Sequence, residues 1–230
     1  MSAEEAMAAF DSGEIDTAIK LWTGLAEAGD PEATYRLGLC CANAQGVDFD
    51  IERAKTLFTQ SAEQGHVDAQ YSLGVIYEDG FGESQSDPSE AAYWYNKAAE
   101  QKCAPAMNNL AGLYEYGEGV AQDSGKAITF YTEAAELGYA PAIFNLGVMH
   151  ENGFGIDQDY VKAAQLYEAA AQSGLVTAMH NLGVLCASGT GVPEDMSKAR
   201  HYLERAAEQG YELSKAALET IDQVDSGGKA

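Results

Sequence analysis

Cysteine and histidine are the side chains of this sequence with the widest chemical range, because they serve as nucleophiles, redox groups and metal ligands. They are scattered along the chain, and no cysteine–histidine spacing is of the kind that holds zinc. The cysteines are also too few and too irregularly placed for a disulfide framework. We therefore expect reduced thiols, no metal and no cofactor. These residues are Cys40, Cys41, Cys103, Cys186, His66, His150, His180 and His201.

Three other patterns could do chemistry in the right surroundings. Asp48 and Asp50 have the spacing of calcium ligands, but the rest of an EF-hand loop is missing and Asp50 suits a helix cap. Ser226 and Lys229 have the spacing of a serine nucleophile and its lysine, but they lie in a glycine-rich stretch where no pocket can form. The Gly-x-Gly sequences follow predicted helices, which indicates helix ends rather than phosphate-binding loops. The sequence therefore predicts a protein that is not an enzyme.

Acidic residues dominate the charge of the chain. Its 230 residues include 36 Asp and Glu but 13 Lys and Arg, for a net charge of −23. Such a field repels phosphate backbones and anionic lipids, so we expect neither nucleic acid nor a membrane as partner. The first residues lack the basic and apolar regions of a signal peptide, and no segment has the long apolar run of a membrane span. We expect a cytoplasmic protein, with a monomer as the default.

One sequence motif recurs five times along the chain. Its centre is a Leu followed by Gly or, once, Ala, with an Ala four residues before the Leu and a Gly nine residues after it. An Asp comes next, then an Ala four residues later and a pair of small residues. The motif predicts a first helix, called helix A, then a turn with Gly, and then a second helix, called helix B, that is capped by the Asp. The central leucines, 36 or 37 residues apart, are Leu37, Leu73, Leu110, Leu146 and Leu182.

The positions of this motif divide the chain into repeats. Residues 1–30 match the second half of the motif and predict a shortened opening repeat. Residues 211–224 predict a C-terminal capping helix, because Leu218 falls where the next central Leu would stand but no helix B follows. Residues 225–230 predict a disordered tail. The five full repeats are predicted at 31–65, 66–102, 103–138, 139–174 and 175–210.

The combination of Ala-x-x-x-Leu-Gly, Gly-x-Gly-Val, Asp and Ala-Ala-x-x-Gly at this period resembles the Sel1-like repeat family, a relative of the tetratricopeptide repeats. The likeness covers residues 31–210, and the opening repeat is similar to the shorter tetratricopeptide form. The resemblance implies an all-α fold, a right-handed superhelical solenoid of antiparallel helix pairs. It also implies a non-catalytic adaptor or scaffold that binds another protein.

Two alternative functions stay open. One branch of the resembling family is cysteine-rich, pairs a helix A cysteine with a helix B cysteine in each repeat, and is linked to β-lactam binding or hydrolysis. Cys41 and Cys186 stand at the helix A position, but Ala62 and Ala207 occupy the partner positions and cannot form a disulfide. The other alternative is an exported effector that binds host proteins, because the lack of a Sec signal leaves specialised export routes open.

One side of helix A carries side chains suited to binding. At about 100° per residue, the positions two before and two, five and six after each Leu point away from its packing face. In the resembling repeats this side lines the concave groove. Glu78, Glu115 and Glu151 share one register position there, which favours a protein or peptide partner with Lys or Arg. In the alternative interpretation the aromatic residues pack between helices and the glutamates are solvated surface. The predicted binding residues are Tyr35, Asn43, Tyr71, Glu78, Asp79, Asn108, Glu115, Tyr116, Phe144, Glu151, Asn152 and His180.

Overall fold

The computed structural model describes residues 2–80 and 85–227. Within those ranges all regular elements are α-helices. None of these described helices is both long enough and apolar enough to cross a bilayer. The helices are α1 (Ala3–Asp11), α2 (Ile15–Glu27), α3 (Pro31–Ala42), α4 (Ile51–Glu63), α5 (Val67–Asp79), α6 (Pro88–Ala99), α7 (Ala104–Tyr116), α8 (Ser124–Glu136), α9 (Ala140–Asn152), α10 (Tyr160–Gln172), α11 (Val176–Ser188), α12 (Met196–Glu208) and α13 (Glu212–Gly227).

The helices follow the pairing that the sequence predicts. α1 and α2 form the opening pair, α3 to α12 alternate as helix A and helix B of the five repeats, and α13 follows the last repeat. The chain divides into two compact units after Gln122, between α7 and α8. In the first unit each helix from α1 to α7 packs against the next, and the same holds from α8 to α13 in the second. The predicted all-α stack of helix pairs is confirmed in each unit.

A capping aspartate begins every helix B, as predicted. Its Oδ1 atom accepts hydrogen bonds of 2.9 to 3.2 Å from backbone N–H groups of the first turn. These amides have no partner within the helix, so each cap contributes about 0.5–2 kcal/mol and determines where the helix starts. The five caps are Asp50, Asp87, Asp123, Asp159 and Asp195.

Left-handed residues end the A helices. Gly117 ends α7 with φ of 75°, and Gly153 and Gly189 end α9 and α11 in the same conformation. Glycine is predicted there because it has no Cβ atom to clash in this region. The first repeat lacks this glycine, and Ala44 takes the left-handed conformation instead, with φ of 53°. Gly82, the second predicted glycine of the second repeat, lies outside the described residues.

The glycine of the Leu-Gly motif on helix A leaves room for a large side chain of helix B. A Cβ atom at Gly74 on α5 would lie 2.3 Å from the ring of Tyr95 on α6. In the second unit a Cβ atom at Gly147 would lie 2.8 Å from the ring of Tyr167. Both tyrosine side chains are fully buried. The missing side chain of each glycine therefore lets the two helices of a repeat pack closely.

The last helix covers the end of the second unit. α13 packs against α12 and α11, and its residues Ser214 and Ile221 are buried. The helix extends to Gly227, past the predicted boundary at residue 224. Residues 228–230 of the predicted tail, which include Lys229 of the Ser-x-x-Lys spacing, lie outside the described residues.

Candidate functional site

The predicted binding residues of the first unit lie on α3, α5 and α7, the A helices of successive repeats. The residues at the C-terminal ends of these helices are the most exposed, and Tyr116 has 69% of its surface accessible. Asn43 and Asp79 are also exposed. The half-buried members are Tyr35, Tyr71, Glu78, Asn108 and Glu115.

The half-buried aromatic members of this set, Tyr35 and Tyr71, pack against helix B. The ring of Tyr35 lies 5.5 Å from that of Phe58 and stacks at 4.7 Å on His66, the residue that caps α5. The ring of Tyr71 lies 5.9 Å from that of Tyr95. These distances between ring centres are typical of stabilising aromatic pairs. The half-buried aromatic residues therefore hold the two helices of a repeat together, and any partner would contact their exposed edges.

Glu78 is hydrogen-bonded to the core of its own repeat. The hydroxyl of Tyr95 donates to Oε2 of Glu78 at 2.5 Å and accepts from Nδ2 of Asn109, on the next helix A, at 3.0 Å. Burial raises the pKa of Tyr95, and the bond to Glu78 raises it further, so the hydroxyl stays protonated. A side chain of helix B thus joins the A helices of two successive repeats through polar contacts.

The second unit contains the same arrangement. The hydroxyl of Tyr167 on α10 donates to Oε2 of Glu151 on α9, and Phe144 lies 5.4 Å from the ring of Tyr167. Burial and the bond to Glu151 raise the pKa of Tyr167, while a hydrogen bond from Asn181 lowers it. Asn152, next along α9, is exposed. Neither interpretation of the sequence anticipated that the glutamates would accept a hydrogen bond from a buried tyrosine.

The carboxylates at the end of α5 are crowded by charges of the same sign. Burial raises the pKa of Glu78, the bond from Tyr95 lowers it, and the nearby carboxylates of Asp79 and Glu118 raise it further, for a net increase. Among the residues that the structure describes, neither Glu78 nor Asp79 forms an ion pair. Added positive charge at this position would therefore relieve a repulsion that the fold leaves in place.

Glu32 on α3 is the contrasting case. Its Oε1 accepts from Nε of Arg36 at 2.6 Å and its Oε2 lies 2.6 Å from Nε2 of His66. Burial raises the pKa of Glu32, but the bonds from His66 and Arg36 lower it by more. This carboxylate is already compensated within the first unit, so it offers less to an incoming cation than Glu78 does.

His180 on α11 also has a partner within the fold. Its Nδ1 lies 2.9 Å from Oγ of the buried Ser214, and its ring lies 5.2 Å from that of Tyr211. Burial lowers the pKa of His180, which favours the neutral imidazole. His180 is therefore tied to the capping helix α13 through Ser214.

An apolar cavity of about 400 Å³ brings predicted binding residues of two repeats together. Asn43, directly after α3, and Tyr71 on α5 line it, and Phe58 on α4 also contributes. Sequence reasoning missed Phe49, a loop residue that lines the cavity while 63% of its surface is exposed. A large apolar side chain between two aspartates, in the sequence Asp48-Phe49-Asp50, is the signal that could have identified it.

The cysteine and histidine side chains form neither a metal site nor a disulfide in the described part of the chain. In the described part of the chain, no three His, Cys, Asp or Glu side chains are grouped so that they could hold a metal ion. All four cysteines are free thiols. Burial raises the pKa of each of them, so the thiolate form is disfavoured. Burial therefore does not activate these thiols as nucleophiles.

Solved structures with the same fold are found in several bacteria. The chain is similar to a Sel1 repeat protein from Oxalobacter formigenes, with 28% identity over 95% of this chain and 87% of that one and a TM-score of 0.88. It is also similar to a protective antigen of uropathogenic Escherichia coli strains that displays an SLR fold, with 28% identity and a TM-score of 0.85. That match covers 98% of this chain and 52% of the antigen, so the chain spans about half of that protein's length.

Comparison with family models agrees with the period of the sequence. A tetratricopeptide repeat model matches residues 4–47, which include α2, α3 and all but the first residue of α1. No curated protein matches the chain. A model of the Sel1 repeat matches five consecutive segments, 31–66, 67–103, 104–139, 140–175 and 176–211. On these five matches, the chain belongs to the Sel1 repeat family.

Proposed function

We propose that this protein is a non-catalytic adaptor that binds a basic partner protein or peptide through the A helices of its repeats. The Sel1 repeat fold commonly mediates protein–protein interaction, which is the general role behind this specific proposal. The proposed contact residues are the predicted set described above, with the exposed Asn43, Asp79, Tyr116 and Asn152 at its accessible ends.

The uncompensated carboxylates of Glu78 and Asp79 carry this proposal. They lie near Glu118, and this crowding contributes to the raised pKa of Glu78. Lys or Arg side chains of a partner would gain attraction there without first breaking an ion pair, since Glu78 and Asp79 form none among the described residues. The net charge of −23 extends the same preference to long range and would speed association with a basic partner.

The hydrogen bond from tyrosine makes glutamine the right substitution for a test. Glutamine keeps an oxygen that can accept from the hydroxyl of Tyr95 or Tyr167 but removes the charge. A lysine at the same position would remove the hydrogen-bond acceptor as well as the negative charge. A loss of binding could then come either from the charge or from a loss of stability.

The experiment is an affinity pull-down from native lysate followed by mass spectrometry. It compares the wild type with a triple variant, Glu78→Gln, Glu115→Gln and Glu151→Gln. The matched control neutralises three exposed glutamates of B helices, Glu63→Gln, Glu133→Gln and Glu204→Gln. We expect a partner that the wild type and the control retain and the first variant loses. Equal recovery with both variants would place binding elsewhere and reject the acidic surface.

We further propose that the protein acts in the cytoplasm and has no hydrolase activity. The free thiols with raised pKa values argue against the cysteine-rich hydrolase type. Turnover of a chromogenic β-lactam by the purified protein would reject the non-catalytic part of the proposal. Fractionation of producing cells distinguishes a cytoplasmic adaptor from an exported effector.

A further inference from the structure

The apolar cavity of the first unit occupies the space that a polar network fills in the next repeat. Glu78 and Tyr95 of the second repeat and Asn109 of the third are joined by hydrogen bonds. One repeat earlier, the equivalent register positions hold Ala42 and Phe58 of the first repeat and Ser72 of the second. All three of these residues line the cavity of about 400 Å³.

The replacement of Glu by Ala explains why the cavity is open. Ala42 lacks the side chain that would reach across to helix B, and Phe58 lacks the hydroxyl that would bind it. The two changes occur together, so the first repeat loses its polar network without leaving an unpaired buried carboxylate or hydroxyl. What remains is an apolar recess at the lower end of the range of about 300–1,000 Å³ in which proteins bind small apolar groups.

An exposed aromatic ring lines the recess, and acidic residues follow or precede its lining residues closely in the chain. Phe49 is 63% exposed and lines the recess, and Asp48 beside it in the chain is also exposed. On the α5 side, Val75 lines the recess and the uncompensated Glu78 and Asp79 follow within the next turn. An apolar pocket with charged residues close by is an arrangement in which one large side chain anchors a partner and its neighbours set specificity.

We propose that this recess takes a large aromatic side chain of the partner, with Lys or Arg next to it in the partner's sequence. The ring would enter between Leu39, Phe58 and Val75, which line the recess. The basic residues would lie against Asp79 and Glu78, where the charge is complementary. This inference rests on the proposed adaptor function and adds a specific anchor site to it.

Three synthetic pentapeptides test the anchor and the charge separately. The first has a central tryptophan flanked on each side by two lysines. The second has alanine in place of the tryptophan, and the third has glutamates in place of the lysines. We expect the first peptide to bind and to shift the NMR signals of backbone amides in α3 and α5. The other two peptides should bind at least about tenfold more weakly, which is the size of effect expected when a hot-spot residue is lost. Equal affinity of the second peptide overturns the anchor, and equal affinity of the third overturns the requirement for basic residues.

A double variant closes the recess with residues that this chain already uses. Ala42→Glu with Phe58→Tyr copies the pair formed by Glu78 and Tyr95, so the protein is expected to fold and to lose binding of the first peptide at least about tenfold. Val75→Trp fills the recess without adding charge and should have the same effect. Gln60→Glu adds one negative charge at an exposed position of α4 outside the recess and should leave binding unchanged.

The outcomes separate this inference from the adaptor proposal. If the peptide binds the double variant and Val75→Trp as well as the wild type, the recess is not the anchor. If a cellular partner is lost with the triple glutamine variant but retained by the double variant, the adaptor proposal stands and the anchor fails. If the wild type dimerises in sedimentation analysis and the double variant does not, the recess binds a second copy and the proposal is wrong.

Discussion

The hydroxyl of Tyr95 donates a hydrogen bond of 2.5 Å to Oε2 of Glu78 and accepts one of 3.0 Å from Asn109. A buried side chain of helix B thereby determines the position of a carboxylate on the candidate binding surface. The same pair, Tyr167 and Glu151, recurs in the second unit. Where helix B carries Phe58 or Leu203 instead, helix A carries Ala42 or Ala187 at the glutamate position, so the two positions vary together within one chain.

The first prediction concerns the cost of breaking this hydrogen bond. Tyr95→Phe keeps the ring against Gly74 but leaves half-buried Glu78 without its donor, so the free energy of unfolding should fall by about 1.5–3 kcal/mol. Adding Glu78→Ala reproduces the pair found in the first repeat and should recover part of that loss. Urea denaturation of the wild type, both single variants and the double variant measures the coupling. Strictly additive effects would show that the bond contributes nothing.

The second prediction concerns pH and compares Glu78 with Glu32. The pKa of Glu78 is raised above its ordinary value of 4.5, so its contribution to stability is present below pH 4.5 and is lost as the pH rises through the raised pKa. The pKa of Glu32 is lowered from 4.5, so its contribution is present above pH 4.5 and is lost as the pH falls through the lowered pKa.

Glutamine substitutions should therefore have opposite pH profiles. Relative to the wild type, Glu78→Gln should become more stable as the pH rises above 4.5. Glu32→Gln should be less stable at neutral pH, and this deficit should shrink in acid. Unfolding free energies measured from about pH 3 to about pH 7 give both profiles. Parallel profiles for the two variants would contradict the assigned environments.

The third prediction concerns Lys102, which has a left-handed backbone with φ of 63°. The equivalent residue of the third repeat is Gly138, with φ of 80°. Lys102→Gly should stabilise the protein by about 0.5–1 kcal/mol, because relief of the left-handed strain exceeds the added freedom of the unfolded chain. Gly138→Ala is the reverse control and should destabilise, although no atom lies within 4 Å of the added Cβ. Thermal unfolding checks both, and a destabilised Lys102→Gly variant would refute the argument.

The fourth prediction concerns thiol reactivity. Cys40, Cys41 and Cys186 are at most 3% exposed, and burial raises their pKa values. In the folded protein at neutral pH these thiols should react with a disulfide reagent far more slowly than after unfolding in urea. Cys103, which is half-buried, should react first. Rapid labelling of all four, or a disulfide on a non-reducing gel, would disagree with the structure.

The repeat organisation could be predicted because each copy of the motif determines its own local structure. An Asp cap such as Asp123 satisfies amides within one turn, and a glycine such as Gly117 ends a helix through its own φ angle. The register positions along helix A also follow from its helical period. These features depend on residues close in sequence, so pattern and spacing were sufficient to identify them.

The chemistry of individual side chains depended on contacts between helices. The sequence by itself determined that Glu78 shares its register position on helix A with Glu115 and Glu151, while the tertiary structure decided that Tyr95, 17 residues away, donates a hydrogen bond to it. It also decided that Ala42 and Phe58 leave an apolar recess and that Phe49 stands at its rim. Burial, hydrogen bonds and cavities arise where separate segments meet in space, and helical period alone does not specify which side chains fill the space between them.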